Sequence, residues 1–176
     1  PDGMNINLDC GSTRPEAMQK HVLETGADLG IALDGDGDRV VLADGDGTRV
    51  AGGEVLYSIA RARKAEGTMR GGVVGTVMTN FGLELALSGM DIPFLRTDVG
   101  DRHRHRALIS NGWTLGGETY GHLLALDRAS TGDVSVSALI VLELMARSGR
   151  SLAELRSGME KLPQTMINVP VSEDGR

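Results

Sequence analysis

Residues 28–41 read Asp-Leu-Gly-Ile-Ala-Leu-Asp-Gly-Asp-Gly-Asp-Arg-Val-Val, and the rest of the chain is read outward from them. An apolar run (Leu29, Ile31, Ala32, Leu33) delivers three carboxylates, Asp34, Asp36 and Asp38, onto one short loop. A second apolar run, Val40 to Ala43, leads away. Three like charges this close repel one another unless a cation sits among them. Gly35 and Gly37 permit the curled backbone that turns alternate side chains toward one point. Hard anionic oxygen ligands suit Mg²⁺ rather than zinc or copper. The loop therefore reads as a divalent-cation site between two strands, with Asp34, Asp36 and Asp38 as ligands and Mg²⁺ as the cofactor. A plain turn needs one Asp-Gly and not three carboxylates. Asp44-Gly45-Asp46-Gly47 is that simpler case, a polar tip joining two strands. An EF-hand is excluded, because the sixth loop place holds Arg39 instead of Gly and the twelfth holds Gly45 instead of Glu.

Away from this loop the elements alternate. Residues 4–8 read as a short strand, and residues 16–25 as a helix that Pro15 opens and Gly26 closes. Downstream, helices are expected over 54–66, 82–88, 101–110, 134–146 and 151–159, with strands over 72–78, 92–96, 113–116 and 123–126. Ser130 and Asp133 are spaced as a capping box ahead of the long helix. Strands separated by helices imply parallel βαβ units, so the expected fold is α/β, mixed and largely parallel. Twenty-five glycines and 3% aromatics among 176 residues suit such a fold with many tight turns. A formal charge of −6 argues against nucleic acid as a partner. The lone Cys10 leaves no internal disulfide and suits a reducing, cytoplasmic setting. No apolar stretch is long enough to span a bilayer and no signal peptide opens the chain, so no membrane partner is expected. The first residue is Pro1 and not Met, which reads as a piece of something longer.

Ligands of parallel sheets gather beyond the carboxyl ends of the strands. Three loops are expected there: the aspartate loop, Val99-Gly100-Asp101-Arg102, and Gly116-Gly117-Glu118-Thr119-Tyr120-Gly121-His122. Glu118 can accept hydrogen bonds from two neighbouring sugar hydroxyls. His122 can donate to a phosphate or move a proton near neutral pH. Each also has an ordinary reading, as a solvated turn acid and a packed strand-edge histidine. The basic run Arg102-His103-Arg104-His105-Arg106 reads as a solvated helix face or, beside a glycine loop at a helix start, as an attractor for phosphate.

Asp-Gly-Asp-Gly-Asp-Arg after an apolar strand, followed downstream by Gly-Glu-x-x-Gly-His, resembles the α-D-phosphohexomutases. The likeness is greatest to their bacterial members that act on glucosamine phosphate. Gly3-Met4-Asn5-Ile6-Asn7, Cys10-Gly11-Ser12-Thr13, Ala27 to Ala32, Gly75-Thr76-Val77-Met78-Thr79-Asn80 and Ser130-Thr131-Gly132-Asp133 fall in that family's order, so the resemblance covers nearly the whole chain. It implies that residues 1–48 are the C-terminal part of a second domain with the metal loop. It makes residues 49–160 a third domain with a sugar-binding loop, and 161–176 a linker toward a fourth. It implies an enzyme, an intramolecular phosphotransferase that moves a phosphoryl group between the 6 and 1 positions of a hexose through a phosphoserine and a bisphosphate. On that resemblance Asp34, Asp36 and Asp38 hold Mg²⁺, and Arg39 and His122 are catalytic. Gly117, Glu118, Tyr120 and Arg102 bind the hexose phosphate.

The family's serine loop and terminal phosphate loop have no counterpart here, so residues 1–176 alone are expected not to turn over. The chain departs from the family in four places: Tyr120 where serine is usual, Asp98 where lysine is usual, basic His103 to Arg106 where apolar helix positions follow, and Val134 where glycine is common. A homodimer and the identity of the hexose (glucosamine, glucose or mannose) stay open. So do two other readings, a haloacid dehalogenase-type phosphatase with Asp34 as nucleophile and a non-catalytic binder of cations or sugar phosphates.

Overall fold

The computed structural model describes residues 2–165 and 167 and contains two sheets, linked through Ala51. The first is an antiparallel meander of β1 (Leu29–Leu33), β2 (Val40–Asp44) and β3 (Arg49–Val50), in that order. Register runs from Leu29 opposite Asp44 to Leu33 opposite Val40. All five residues of β2, the central strand, are buried, while Ile31 and Leu33 on the edge strand β1 face outward. Helix α1 (Glu16–Thr25) lies against β1 and ends at Gly26, whose N–H returns to the Val22 carbonyl at 2.9 Å. The aspartate loop is thus the connection of an antiparallel hairpin rather than the end of a parallel strand. Residues 4–8 are not the expected strand. Asn7 and Asp9 have φ of 63° and 53°, Leu8 N–H closes a turn onto Asn5, and among the described residues no strand pairs with the segment. Alternating apolar residues made it look like a strand, but a strand needs a partner for its backbone.

The second unit is α2 (Gly52–Ala65), β4 (Val73–Thr76), α3 (Phe81–Ser88), β5 (Phe94–Thr97), α4 (Asp101–Asn111), β6 (Leu115–Gly117), β7 (Leu123–Ala125), α5 (Val134–Ser148) and α6 (Leu152–Arg156). Sheet order is β5-β4-β6-β7. The mixed α/β class is as expected, with parallel pairing confined to β5-β4-β6. Strand β7 runs antiparallel because only residues 118–122 separate it from β6, too few for a crossover. The wholly buried Val-Val-Gly-Thr of β4 suits its central place. Val73, Leu83, Leu115 and Leu152 are fully buried in the main core. Asp133 is itself the N-cap of α5, accepting from Val136 N–H at 3.0 Å, rather than the far member of a box begun at Ser130. The capping box belongs to α6, where Ser151 and Glu154 exchange bonds. That helix stops at Arg156, short of the expected 159, because Ser157 is extended and Gly158 takes φ of +105°. Residues 161–165 and 167 form neither helix nor strand, and 166 and 168–176 of the expected linker lie outside the described residues.

Bonds between the two units set the relation of their loops. Val40 N–H donates to the Gly121 carbonyl at 3.2 Å, and within the second unit Gly52 N–H holds the same loop through the Thr119 carbonyl at 3.2 Å. Gly121 has φ of +91°, and a Cβ there would run into the Val40 carbonyl, so both conformation and space require glycine. Another bolt is Arg156, which donates to Asp44 Oδ2 in the first unit at 2.8 Å and to Glu54 Oε1 in the second at 2.9 Å. Asp44, expected only as a polar tip, is 1% exposed and also accepts from the Asp46 and Thr48 amides. Among the described residues no helix is long and apolar enough to cross a membrane.

Candidate functional site

The aspartate loop is ordered by short-range bonds. Asp34 Oδ1 accepts from the Asp38 and Arg39 amides at 3.1 Å each, and Oδ2 from Arg39 Nε at 2.7 Å. Burial pushes the Asp34 carboxyl up, but those bonds from Arg39 and Asp38, with the Arg39 charge, outweigh it and bring the pKa to about 2. The bond to Asp34 in turn holds the Arg39 guanidinium above its ordinary value. Asp34 is buried, Asp36 exposed and Asp38 between, and one oxygen of each lies within 4.8 Å of the others. This all-carboxylate set fits a hard divalent cation such as Mg²⁺. Arg39 Nε also lies 3.3 Å from Asp38 Oδ1, and the remaining guanidinium nitrogens have no partner among the described residues. The loop rests on the start of α5, where Val134 N–H donates to the Gly37 carbonyl at 3.3 Å. The positive end of that helix therefore faces the carboxylates, which offsets part of their repulsion.

His122 joins this loop to the two others. It is 7% exposed, with Nδ1 3.3 Å from Asp38 Oδ2. Its Nε2 lies 3.0 Å from Asp101 Oδ1, but off the direction a ring N–H would take, so that nitrogen makes no hydrogen bond. The bond from Val40 to Gly121 brings His122 there, 84 residues along the chain from Asp38. Glu118 points its Oε2 at Arg104 Nη1, 2.6 Å away. The basic run is therefore not wholly a solvated face. Arg104 and Leu108, one helical turn apart, are the buried positions of α4, and Arg104 is only 2% exposed. The i, i+4 spacing of Arg104 and Leu108 was the available signal; five adjacent basic residues masked it.

The remaining expected site residues are less engaged. Gly117 is buried within β6 and contributes backbone only. Tyr120, 57% exposed, forms a wall of a cleft of about 480 Å³ with Met78, Asn80, Thr119 and residues 161–164. Arg102 is exposed at the first turn of α4, and neither it nor Tyr120 makes a side-chain hydrogen bond among the described residues. The structure thus brings Asp34, Asp36, Asp38, Arg39 and His122 together, with Glu118 beside Arg104. It leaves Tyr120 and Arg102 on the rim. Such a site can hold a divalent cation, present an arginine to an anion, and offer a carboxylate and an imidazole to a polar ligand.

Residues 51–162 match the family described as phosphoglucomutase/phosphomannomutase, alpha/beta/alpha domain III. Phosphoglucosamine mutase of Hahella chejuensis is 55% identical over 173 residues, covering 98% of this chain and 39% of that protein. The enzyme of the same name from Xanthomonas campestris pv. campestris is 57% identical over 169 residues, covering 96% and 38%. The chain spans about two fifths of the length of these relatives. Among solved structures, a phosphoglucomutase/phosphomannomutase family protein of Burkholderia thailandensis superposes with a TM-score of 0.76 at 22% identity, over 85% of this chain and 32% of that one. Aspergillus fumigatus N-acetylphosphoglucosamine mutase, in complex with GlcNAc-6P and magnesium, gives 0.67 at 20% identity over 89% and 38%. At these identities the structural likeness is one of fold.

Proposed function

Since the chain belongs to the phosphoglucomutase/phosphomannomutase family, we propose that it is the metal- and sugar-binding portion of a phosphoglucosamine mutase. In this reading the complete protein interconverts glucosamine 6-phosphate and glucosamine 1-phosphate through a phosphoserine and a bisphosphate. The serine would come from chain outside residues 1–176. Residues 1–48 would close the second domain, 49–160 form the third, and 161–176 lead toward a fourth. The observation that carries the reading is the meeting of three loops at His122, with Asp38 3.3 Å from one ring nitrogen and Asp101 3.0 Å from the other. The relatives named phosphoglucosamine mutase, 55–57% identical, support glucosamine over other hexoses.

Asp34, Asp36 and Asp38 would hold Mg²⁺, which when bound supplies charge neutralisation for a phosphoryl group. Arg39 keeps its outer guanidinium nitrogens for the oxygens of that group, a pairing that planar donors suit. His122, oriented by Asp38 at its Nδ1, would leave its Nε2 free of a hydrogen bond and able to exchange one with a reacting oxygen. Glu118 orients the sugar through its hydroxyls. The phosphatase alternative is not favoured, because Asp38 stands where Thr or Val is usual for it and Asp34 follows an antiparallel edge strand. The test is ³¹P NMR of the protein from the complete reading frame, given glucosamine 6-phosphate, Mg²⁺ and a trace of hexose 1,6-bisphosphate. A growing resonance of glucosamine 1-phosphate is expected. No interconversion of any hexose phosphate would refute the proposal.

A further inference from the structure

Helix α4 carries a residue that costs stability where it stands. Arg104 occupies a core position, 2% exposed, in the helix whose other buried side chain is Leu108. Removing a guanidinium from water is expensive, and its Nε has no hydrogen-bond partner among the described residues. An apolar side chain would fill the same place at lower cost, so packing does not account for the arginine. Its hydrogen bonds do. Nη1 holds Glu118 Oε2 at 2.6 Å, and Nη2 reaches Asp101 Oδ1 at 3.5 Å. One buried side chain thus ties the loop at the start of α4 to the loop between β6 and β7.

We infer that Arg104 is a positioning residue that clamps one oxygen of the Glu118 carboxylate so that the other is presented, already oriented, to a sugar hydroxyl. This rests on the proposed function for the identity of the ligand. Glu118 Oε1 has no partner among the described residues, and its side chain is 20% exposed, so that oxygen is open to a ligand. The Glu118 backbone is fixed too, its N–H bonded to the His122 carbonyl at 3.0 Å and its carbonyl accepting from Gly121 at 3.3 Å. Clamping a carboxylate at both ends removes rotamer freedom that binding would otherwise have to freeze. Arg104 touches neither the aspartate loop nor Arg39, so its loss should weaken the hold on sugar more than the transfer step. That is the signature of uniform binding, a raised KM at nearly constant kcat.

The test uses the protein from the complete reading frame, with Arg104→Met to remove the charge and keep most of the volume, and Arg104→Lys to restore a single donor. Steady-state kinetics with glucosamine 6-phosphate and amide hydrogen exchange at Glu118 and Gly121 are measured on the same samples. Arg104→Met should raise KM roughly tenfold and leave kcat within about threefold. It should speed exchange at both amides, while Arg104→Lys recovers most of each change. If Arg104→Met does not fold, Arg104→Lys decides, with a smaller shift in the same direction expected. An unchanged KM, or normal exchange in a protein that turns over, overturns the inference and leaves the proposed function standing. If the unaltered protein shows no turnover, the proposed function fails and exchange alone judges the clamp: faster exchange in Arg104→Met supports it, and unchanged exchange overturns it.

Discussion

The aspartate loop and the loop at 117–122 meet at His122 but are held there in different ways. Asp34 is bonded to residues four and five places along the chain, and Arg39 folds back onto the same carboxylate. The side chains of the loop at 117–122 are held by partners far away in sequence. Arg104 is 14 residues from Glu118, Met78 is 41 from Thr119, and Asp38 is 84 from His122. A site held by its own neighbours keeps its shape when the surrounding structure loosens. A site held from outside depends on every bolt. The aspartate loop should therefore be the sturdier of the two and the loop at 117–122 the more easily disturbed.

Gly121→Ala attacks that dependence directly and should have the largest effect on stability. The residue needs positive φ, and its Cβ would meet the Val40 carbonyl, which donates nothing and cannot move without shifting β2. A cost of about 3 kcal/mol is expected, read as a lowered urea midpoint of the chain. The bond between Val40 and Gly121 should show faster amide exchange, with the amides of Asp38 and Arg39 less affected. Equal loss of protection in both loops would count against the comparison.

Arg156→Met tests the other seam. It leaves Asp44, 1% exposed, and Glu54, 6% exposed, without their shared cation. Stranding buried carboxylates is strongly destabilising, but Arg156 is itself a quarter exposed and water can partly replace it. A loss of roughly 2–3 kcal/mol is expected. A urea midpoint within error of the unaltered chain would mean that the arginine bolts nothing.

How much was legible in the sequence follows from the same contrast. Asp34, Asp36, Asp38 and Arg39 declared themselves because the bonds that order Asp34 and Arg39 lie within five residues. Most helices and the strands of the second sheet were legible for a similar reason, since periodicity is local. Arg104 was missed because a basic run reads as solvated unless one knows that Glu118 will face it. Asp44 was missed because its burial depends on Arg156, 112 residues later. Residues 4–8 show the converse error, in which a local pattern of alternating apolar residues promised a strand for which no partner is present among the described residues.

Acid sharpens the comparison at the aspartate loop. With its folded pKa near 2 against an ordinary 3.8, Asp34 is ionised more readily in the folded chain. As pH falls below about 4 the unfolded chain takes up the proton first, so stability is full above that range and is lost as pH falls through 2. The difference corresponds to about 2 kcal/mol in chelator-treated buffer. Urea midpoints at pH 5 and pH 2.5 should diverge more for the unaltered chain than for Asp34→Asn. Identical pH slopes in the two would show that the local bonds do not sustain the charge.

Gly37→Ala is the mildest test and the most direct counterpart to Gly121→Ala. Gly37 also has positive φ, +73°, but the nearest atom to a Cβ there is Val134 Cγ2 at 3.8 Å, an ordinary contact. Only the backbone preference is lost, which costs about 1 kcal/mol. The two substitutions add the same methyl group at two left-handed glycines of adjoining loops, so their difference isolates what the neighbours contribute. If Gly37→Ala costs about a third as much as Gly121→Ala and Mg²⁺ titration still finds a site, the aspartate loop is self-supporting. If both cost the same, the loop is held from outside as well, and the Val134 N–H on the Gly37 carbonyl becomes the bond to cut next.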